Sequence, residues 1–141
     1  MWRNFFITLL IGLILSGQAF AATLEVEILG AASDDGDVHV ALYNDPKGFP
    51  KSRGMLIETE VPIENQQAIA VFEGLEPGRY AIAIYHDENS SNKFDQGLFG
   101  IPLEDFGFSN DATVFLSPPS FEDAAFDVPE TGAVIRIHLN Q

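Results

Sequence analysis

The sequence predicts an all-β protein: an antiparallel Greek-key β-sandwich that carries one long loop insertion. Three observations lead to this class. Short segments of alternating apolar and polar residues recur along the chain, which is the period of a half-buried strand. Clusters of Gly, Pro, Asn and Asp separate these segments. Beyond the N-terminal stretch no segment sustains a helical period, and a series of short strands with turns between them packs as two facing sheets.

The N-terminal stretch is set apart from the fold. Met1 to Asn4 carries Arg3, Phe5 to Leu15 is an almost unbroken apolar run, and Ser16 to Ala21 ends in Ala19-Phe20-Ala21. A charged head, an apolar run and a small-x-small end, in that order, predict a secretory signal peptide over residues 1–21. The apolar run is too short for a comfortable membrane span. Cleavage leaves one domain over residues 22–141 with no remaining membrane span, located in the periplasm or outside the cell. Seven basic residues against 21 acidic ones give a formal charge of −14. That imbalance argues against nucleic acid and anionic membranes as partners. There is no Cys, which removes disulfides, thiolate chemistry and thiolate metal sites.

Leu24 to Leu29 alternates Leu24, Val26 and Ile28 with Glu25 and Glu27 and predicts the first strand. Gly30 to Gly36 is a small, acidic turn. Asp37 to Asn44 sets Val38, Val40 and Leu42 against His39, Ala41 and Tyr43, so His39 is expected on the solvent face. Asn44 to Gly54 is a Pro- and Gly-bearing loop containing Lys47, Lys51 and Arg53, with Phe49 expected to tuck back onto the core. Met55 to Ile63 is a weaker strand. Ala68 to Phe72 is apolar on both faces. Pro77-Gly78 marks a tight turn. Arg79 to Tyr85 is the clearest strand, with Tyr80, Ile82 and Ile84 opposite Ala81, Ala83 and Tyr85. Thr113 to Leu116 is a short strand candidate, Phe121 to Val128 a strand or irregular edge, and Ala133 to Leu139 the closing strand, with His138 on its polar side.

The insertion, from His86 to Asn110, carries the candidate chemistry. Oxygen-bearing side chains recur at Asp87, Asn89, Ser91 and Asp95, the spacing of positions one, three, five and nine of a calcium loop, with the Lys93 carbonyl at seven. Asn92 stands where such a loop needs a left-handed residue, and Asn tolerates that conformation. The twelfth position is Leu98 and not the usual Glu, so another carboxylate must close the shell. Glu104 and Asp105, close behind in sequence, are the natural candidates, and Glu88 could also turn inward. All-oxygen ligation favours Ca²⁺. The same residue types also make a loop whose polar groups are satisfied by its own backbone. His86 beside Asp87 invites a general-base role, yet neighbours on a strand point to opposite faces. The chain has no nucleophile elbow, zinc-protease helix or phosphate-binding loop motif. The Phe residues from Phe94 to Phe126 are expected to peg the long loop onto the sandwich.

Several stretches together resemble one family. They are Val40-Ala41-Leu42-Tyr43-Asn44, Phe72 to Ile82, His86-Asp87-Glu88-Asn89, Phe99 to Glu104, Gly107 to Asn110 and Pro119 to Phe126. In this order they resemble the bacterial DUF2141 family, a domain of unassigned function found in exported proteins. The family pattern in the central loop is similar to Asp-x-Asn-x-Asn-Gly-x-x-Asp. This chain keeps Asp87, Asn89 and Asp95 and departs from the pattern at Ser91 and Asn92. The Gly-Leu-x-Pro-Gly-x-Tyr turn resembles one in transthyretin-like and Cna-B-like sandwiches, which implies a transthyretin/Ig-like arrangement and no activity.

The expected function is therefore an exported, non-enzymatic binding or structural module. Its cofactor would be Ca²⁺, held by Asp87, Asn89, Ser91, the Lys93 carbonyl, Asp95 and Glu104, and its partner a protein or cell-envelope ligand. The alternative is a periplasmic enzyme that uses His86 with Asp87 or Glu104.

Overall fold

A computed structural model describes residues 21–139. The expected leader lies outside the described residues except for Ala21. Among the described residues eight strands form two sheets: β1 (Ala22–Leu29), β2 (Asp37–Tyr43), β3 (Ile57–Pro62), β4 (Gln67–Leu75), β5 (Gly78–Asp87), β6 (Phe106–Phe108), β7 (Phe126–Val128) and β8 (Ala133–His138). The first sheet has the order β4-β1-β8. The second has the order β3-β2-β5-β6, with β7 also paired to β5. The expected sandwich is present, and every pair is antiparallel except β1 with β8, which is parallel.

Alternation explains the main core. Leu24, Val26 and Ile28 of β1 point inward against Val38, Val40 and Leu42 of β2 and Ile82 and Ile84 of β5. Burying side chains of this size contributes roughly 1.5–3 kcal/mol each. The turn into β5 is locked by the Tyr80 hydroxyl, which donates to the Glu76 carbonyl at 2.6 Å. The tyrosine of the Gly-Leu-x-Pro-Gly-x-Tyr motif is therefore a tie across its own turn.

The second sheet departs from a half-buried pattern. All of Val38 to Tyr43 in β2 is buried, on both faces. A second apolar cluster covers the outer face: Tyr43, Phe49, Ala81, Phe108, Phe121 and Ala124. Phe49 packs edge-on against Tyr43, Phe108 and Phe121, as expected for a residue folded back from its loop.

The far edge of β5 is shared. β7 pairs with Gly78 to Tyr80, and β6 with Ala83 to Tyr85. Ser109 fills the gap between them. Its fully buried hydroxyl accepts the Ile82 N–H at 2.9 Å and donates to the Ala124 carbonyl at 2.5 Å, so both backbone groups find a partner there.

Two local expectations are corrected. Thr113 to Leu116 is not a strand, and no neighbouring strand pairs with it. Phe121 to Ala124 is a single helical turn, α1 (Phe121–Ala124). Ser120 caps it, its hydroxyl accepting the Asp123 N–H while the Asp123 carboxylate accepts from the Ser120 backbone.

Candidate functional site

Register determines what meets on the outer face of the second sheet. Antiparallel pairing sets His39 opposite Glu60 on β3 and Tyr85 on β5, and Asp37 opposite Asp87. Residues of one parity share a face, so Asp37, His39, Glu58, Glu60, Tyr85 and Asp87 lie together. His39 is 3% exposed. This overturns the expectation of a surface histidine: its face points away from the main core, but Tyr85 and the surrounding acids enclose the ring. The ring stacks on Tyr85 at 4.5 Å, and its Nδ1 is 3.1 Å from Glu58 Oε1. Its Nε2 faces Asp37 Oδ1 at 3.4 Å, Asp87 Oδ2 at 3.5 Å and Glu60 Oε1 at 3.8 Å. The sequence did carry a signal: acids and a histidine recur at period two in Asp37-Val38-His39 and in Glu58-Thr59-Glu60, on adjacent strands.

The insertion begins on the same face. Asp87 is fully buried, and its carboxylate accepts the N–H groups of Ser91 at 2.9 Å and Asn92 at 2.7 Å. Burial alone would raise its pKa. The two backbone N–H donors and His39 outweigh burial and hold it below the ordinary value. Asn92 has φ of 58°, the left-handed conformation expected at that position. Asp95 Oδ2 accepts from Asn89 Nδ2 at 2.9 Å and from the Ser91 hydroxyl at 3.0 Å, and that hydroxyl also lies 3.0 Å from the Lys93 carbonyl. Glu104 folds back onto this loop and accepts the Asp95 N–H at 3.0 Å. Its pKa is raised by burial first, with the nearby Asp87 and Asp95 carboxylates acting in the same direction. The six residues expected to bind calcium are thus gathered in one region, linked to one another by hydrogen bonds. Asn89, Asp95 and Glu104 border a small cavity of about 260 Å³.

His86 takes no part in this constellation. It lies fully buried on the core side of β5, with Nε2 2.7 Å from the Asp35 carbonyl. Asp87 and Glu104 lie on the other side of the sheet, so the pairing required by the enzymatic alternative is not formed.

Next to the His39 cluster the outer face opens into a cleft of about 640 Å³. Ala41 and Ala83 form its floor, Tyr85, Phe94 and Phe106 one wall, and Met55 and Pro50 another. Cross-strand Ala41 and Ala83 leave room that larger residues would fill. At the mouth stand Phe99, 100% exposed, and Leu116, 94% exposed. Both have φ of 61°, a conformation that is strained for side chains of this size. The expected pegging role holds for Phe94, Phe106, Phe108 and Phe121. It fails for Phe99 and Phe115, which point into solvent.

Residues 26–136 match the family described as "Uncharacterized protein conserved in bacteria (DUF2141)", and the chain belongs to that family. No curated protein matches the sequence. Among solved structures it is similar to a pilus-presented adhesin, Spy0125 (Cpa), with 14% identity and a TM-score of 0.25. The likeness covers 86% of this chain and only 27% of that one, and a score this low carries no argument. Among the described residues no helix is long and apolar enough to cross a membrane.

Proposed function

We propose that the protein is an exported, non-enzymatic binding module that takes a small apolar ligand in the cleft above Ala41 and Ala83. The observation that carries this reading is the cleft mouth. Phe99 and Leu116 combine near-complete exposure with left-handed backbone. The exposure is unfavourable and is relieved if a ligand covers the side chains, and strained backbone of this kind clusters at ligand sites. The volume of about 640 Å³ falls within the usual range for small-molecule sites. His39 and Glu58 line the cleft together with the apolar residues and offer a polar group to orient the ligand.

Calcium belongs to the same reading, as a brace for the loop that forms one lip of the cleft. Asn89, Asp95 and Glu104 would contribute oxygens at the smaller cavity, with Asp87, Ser91 and the Lys93 carbonyl behind them. The test is titration of the purified protein with a neutral naphthylamine dye whose fluorescence rises in apolar surroundings, with and without millimolar Ca²⁺. Saturable binding that falls at least tenfold in Ala83→Phe, at unchanged melting temperature, is expected. Dye binding indifferent to Ala83→Phe overturns the cleft reading. Absence of both heat and thermal stabilisation on adding Ca²⁺ overturns the calcium brace.

A further inference from the structure

We propose that Asp37, His39 and Glu60 form a binding site for a first-row divalent cation of the Zn²⁺ type, with His39 Nε2 as its nitrogen ligand. The first observation is burial without a partner. Among the described residues, His39 Nε2 and Asp37 Oδ1 are buried atoms that make no hydrogen bond. A buried imidazole nitrogen left unpaired is costly, and this one is aimed into three carboxylates. The second observation is spacing. The separations from Nε2 of 3.4, 3.5 and 3.8 Å exceed an ordinary N–H···O bond. Ligands held 2.0–2.2 Å from one tetrahedral ion stand about 3.3–3.6 Å apart, which matches the Asp37 separation and lies close to that of Glu60. Oxygens from Asp37 and Glu60 and a nitrogen of His39 all fall within 4.8 Å of one another.

The third observation concerns the other side of the ring. Nδ1 points to Glu58 Oε1 at 3.1 Å. A histidine that ligates a metal through one nitrogen characteristically donates the other N–H to a carboxylate, which fixes the tautomer and aims the lone pair. Stacking on Tyr85 prevents the ring from turning away. The buried Asp87 carboxylate, 3.5 Å from Nε2 and oriented by two backbone N–H groups, adds negative charge beside the site. Glu60, at 52% exposure, provides the way in. One nitrogen among carboxylates selects a borderline cation over Ca²⁺ or Mg²⁺, which favour oxygen alone. The site is distinct from the loop cavity bordered by Asn89, Asp95 and Glu104, and it stands whatever occupies the cleft.

Calorimetric titration of the purified protein with Zn²⁺ tests the proposal, with NMR of the imidazole nitrogens alongside. The expected result is one equivalent bound, a large shift of His39 Nε2 and a smaller one of Nδ1. Affinity should fall at least tenfold in Glu60→Gln and in Asp37→Asn, at half-exposed and partly exposed positions, with the melting temperature of each variant unchanged. His138→Ala, which removes the other histidine paired with an acid at the surface, should leave binding unchanged. The proposal is overturned if Zn²⁺ binding survives Glu60→Gln and Asp37→Asn. It is equally overturned if the signal follows His138, or if His39 Nε2 carries a proton that Zn²⁺ does not displace.

Discussion

The two sheets present opposite outer faces. On the first, Glu25 and Glu27 of β1 stand between Ile69 and Val71 of β4 and Val134 and Arg136 of β8. Those neighbours lie open to solvent, and Arg136 pairs with Glu27 across the surface. On the second, the residues that point outward are His39, Ala41 and Tyr43 from β2 and Ala81, Ala83 and Tyr85 from β5, and loops cover them. Both faces obey the same period of two. The difference lies in which side chains occupy the outward positions and in what the chain later lays over them. The open face is a boundary with water. The covered face holds a second small core, a cleft and a set of acids around a histidine.

The strongest way to break this contrast is to remove a pillar of the covered face. Phe121→Ala empties the centre of the second core, where the ring meets Phe49, and should cost about 3–5 kcal/mol by chemical denaturation. A loss under about 1 kcal/mol would mean that the cover contributes little to stability.

A second probe is alkaline pH. Burial, helped by the negative charge of Glu58, pushes the Tyr43 hydroxyl from 10.0 up to about 12. The neutral phenol is the form that the folded state favours. Its contribution is therefore complete below pH 10 and is lost as pH rises from there toward 12. Removing the hydroxyl should flatten that decline by about 1 kcal/mol per pH unit in Tyr43→Phe, followed as stability against pH. An unchanged slope would place Tyr43 in contact with water. The smallest effect belongs to the open face. Val71→Thr, at a half-exposed position, should alter stability by no more than about 0.5 kcal/mol, measured in the same denaturation experiment.

Much of the sandwich was legible because β1, β4 and the closing strand alternate apolar with polar residues, and β2 and β5 turn one apolar parity to the main core. Its shorter parts were not. Phe106-Gly107-Phe108 is too brief to show a period, and it becomes a strand only because β5 offers an edge. Val114-Phe115-Leu116 has the composition of a strand but finds no edge, and remains a loop. Ser120 and Asp123 do form a recognisable cap, yet four residues cannot display a helical stripe. For the candidate sites, spacing within one loop identified Asp87 to Asp95 and the fold-back of Glu104. It could not reveal that His39 is buried, because that depends on Tyr85 and the acids that pairing with β3 and β5 brings around it. The acids around His39 come from three strands and are united by register alone.

The parallel pairing of β8 with β1 has a consequence for how the molecule is made. β8 hydrogen-bonds to β1, across more than a hundred intervening residues. Contacts of that sequence separation close late and slow the search for the native state. Until Ala133 to His138 are available, β1 keeps one unpaired edge, the kind of surface on which partly folded β chains associate. The first sheet therefore acts as a completion check, closing only when the whole domain is present.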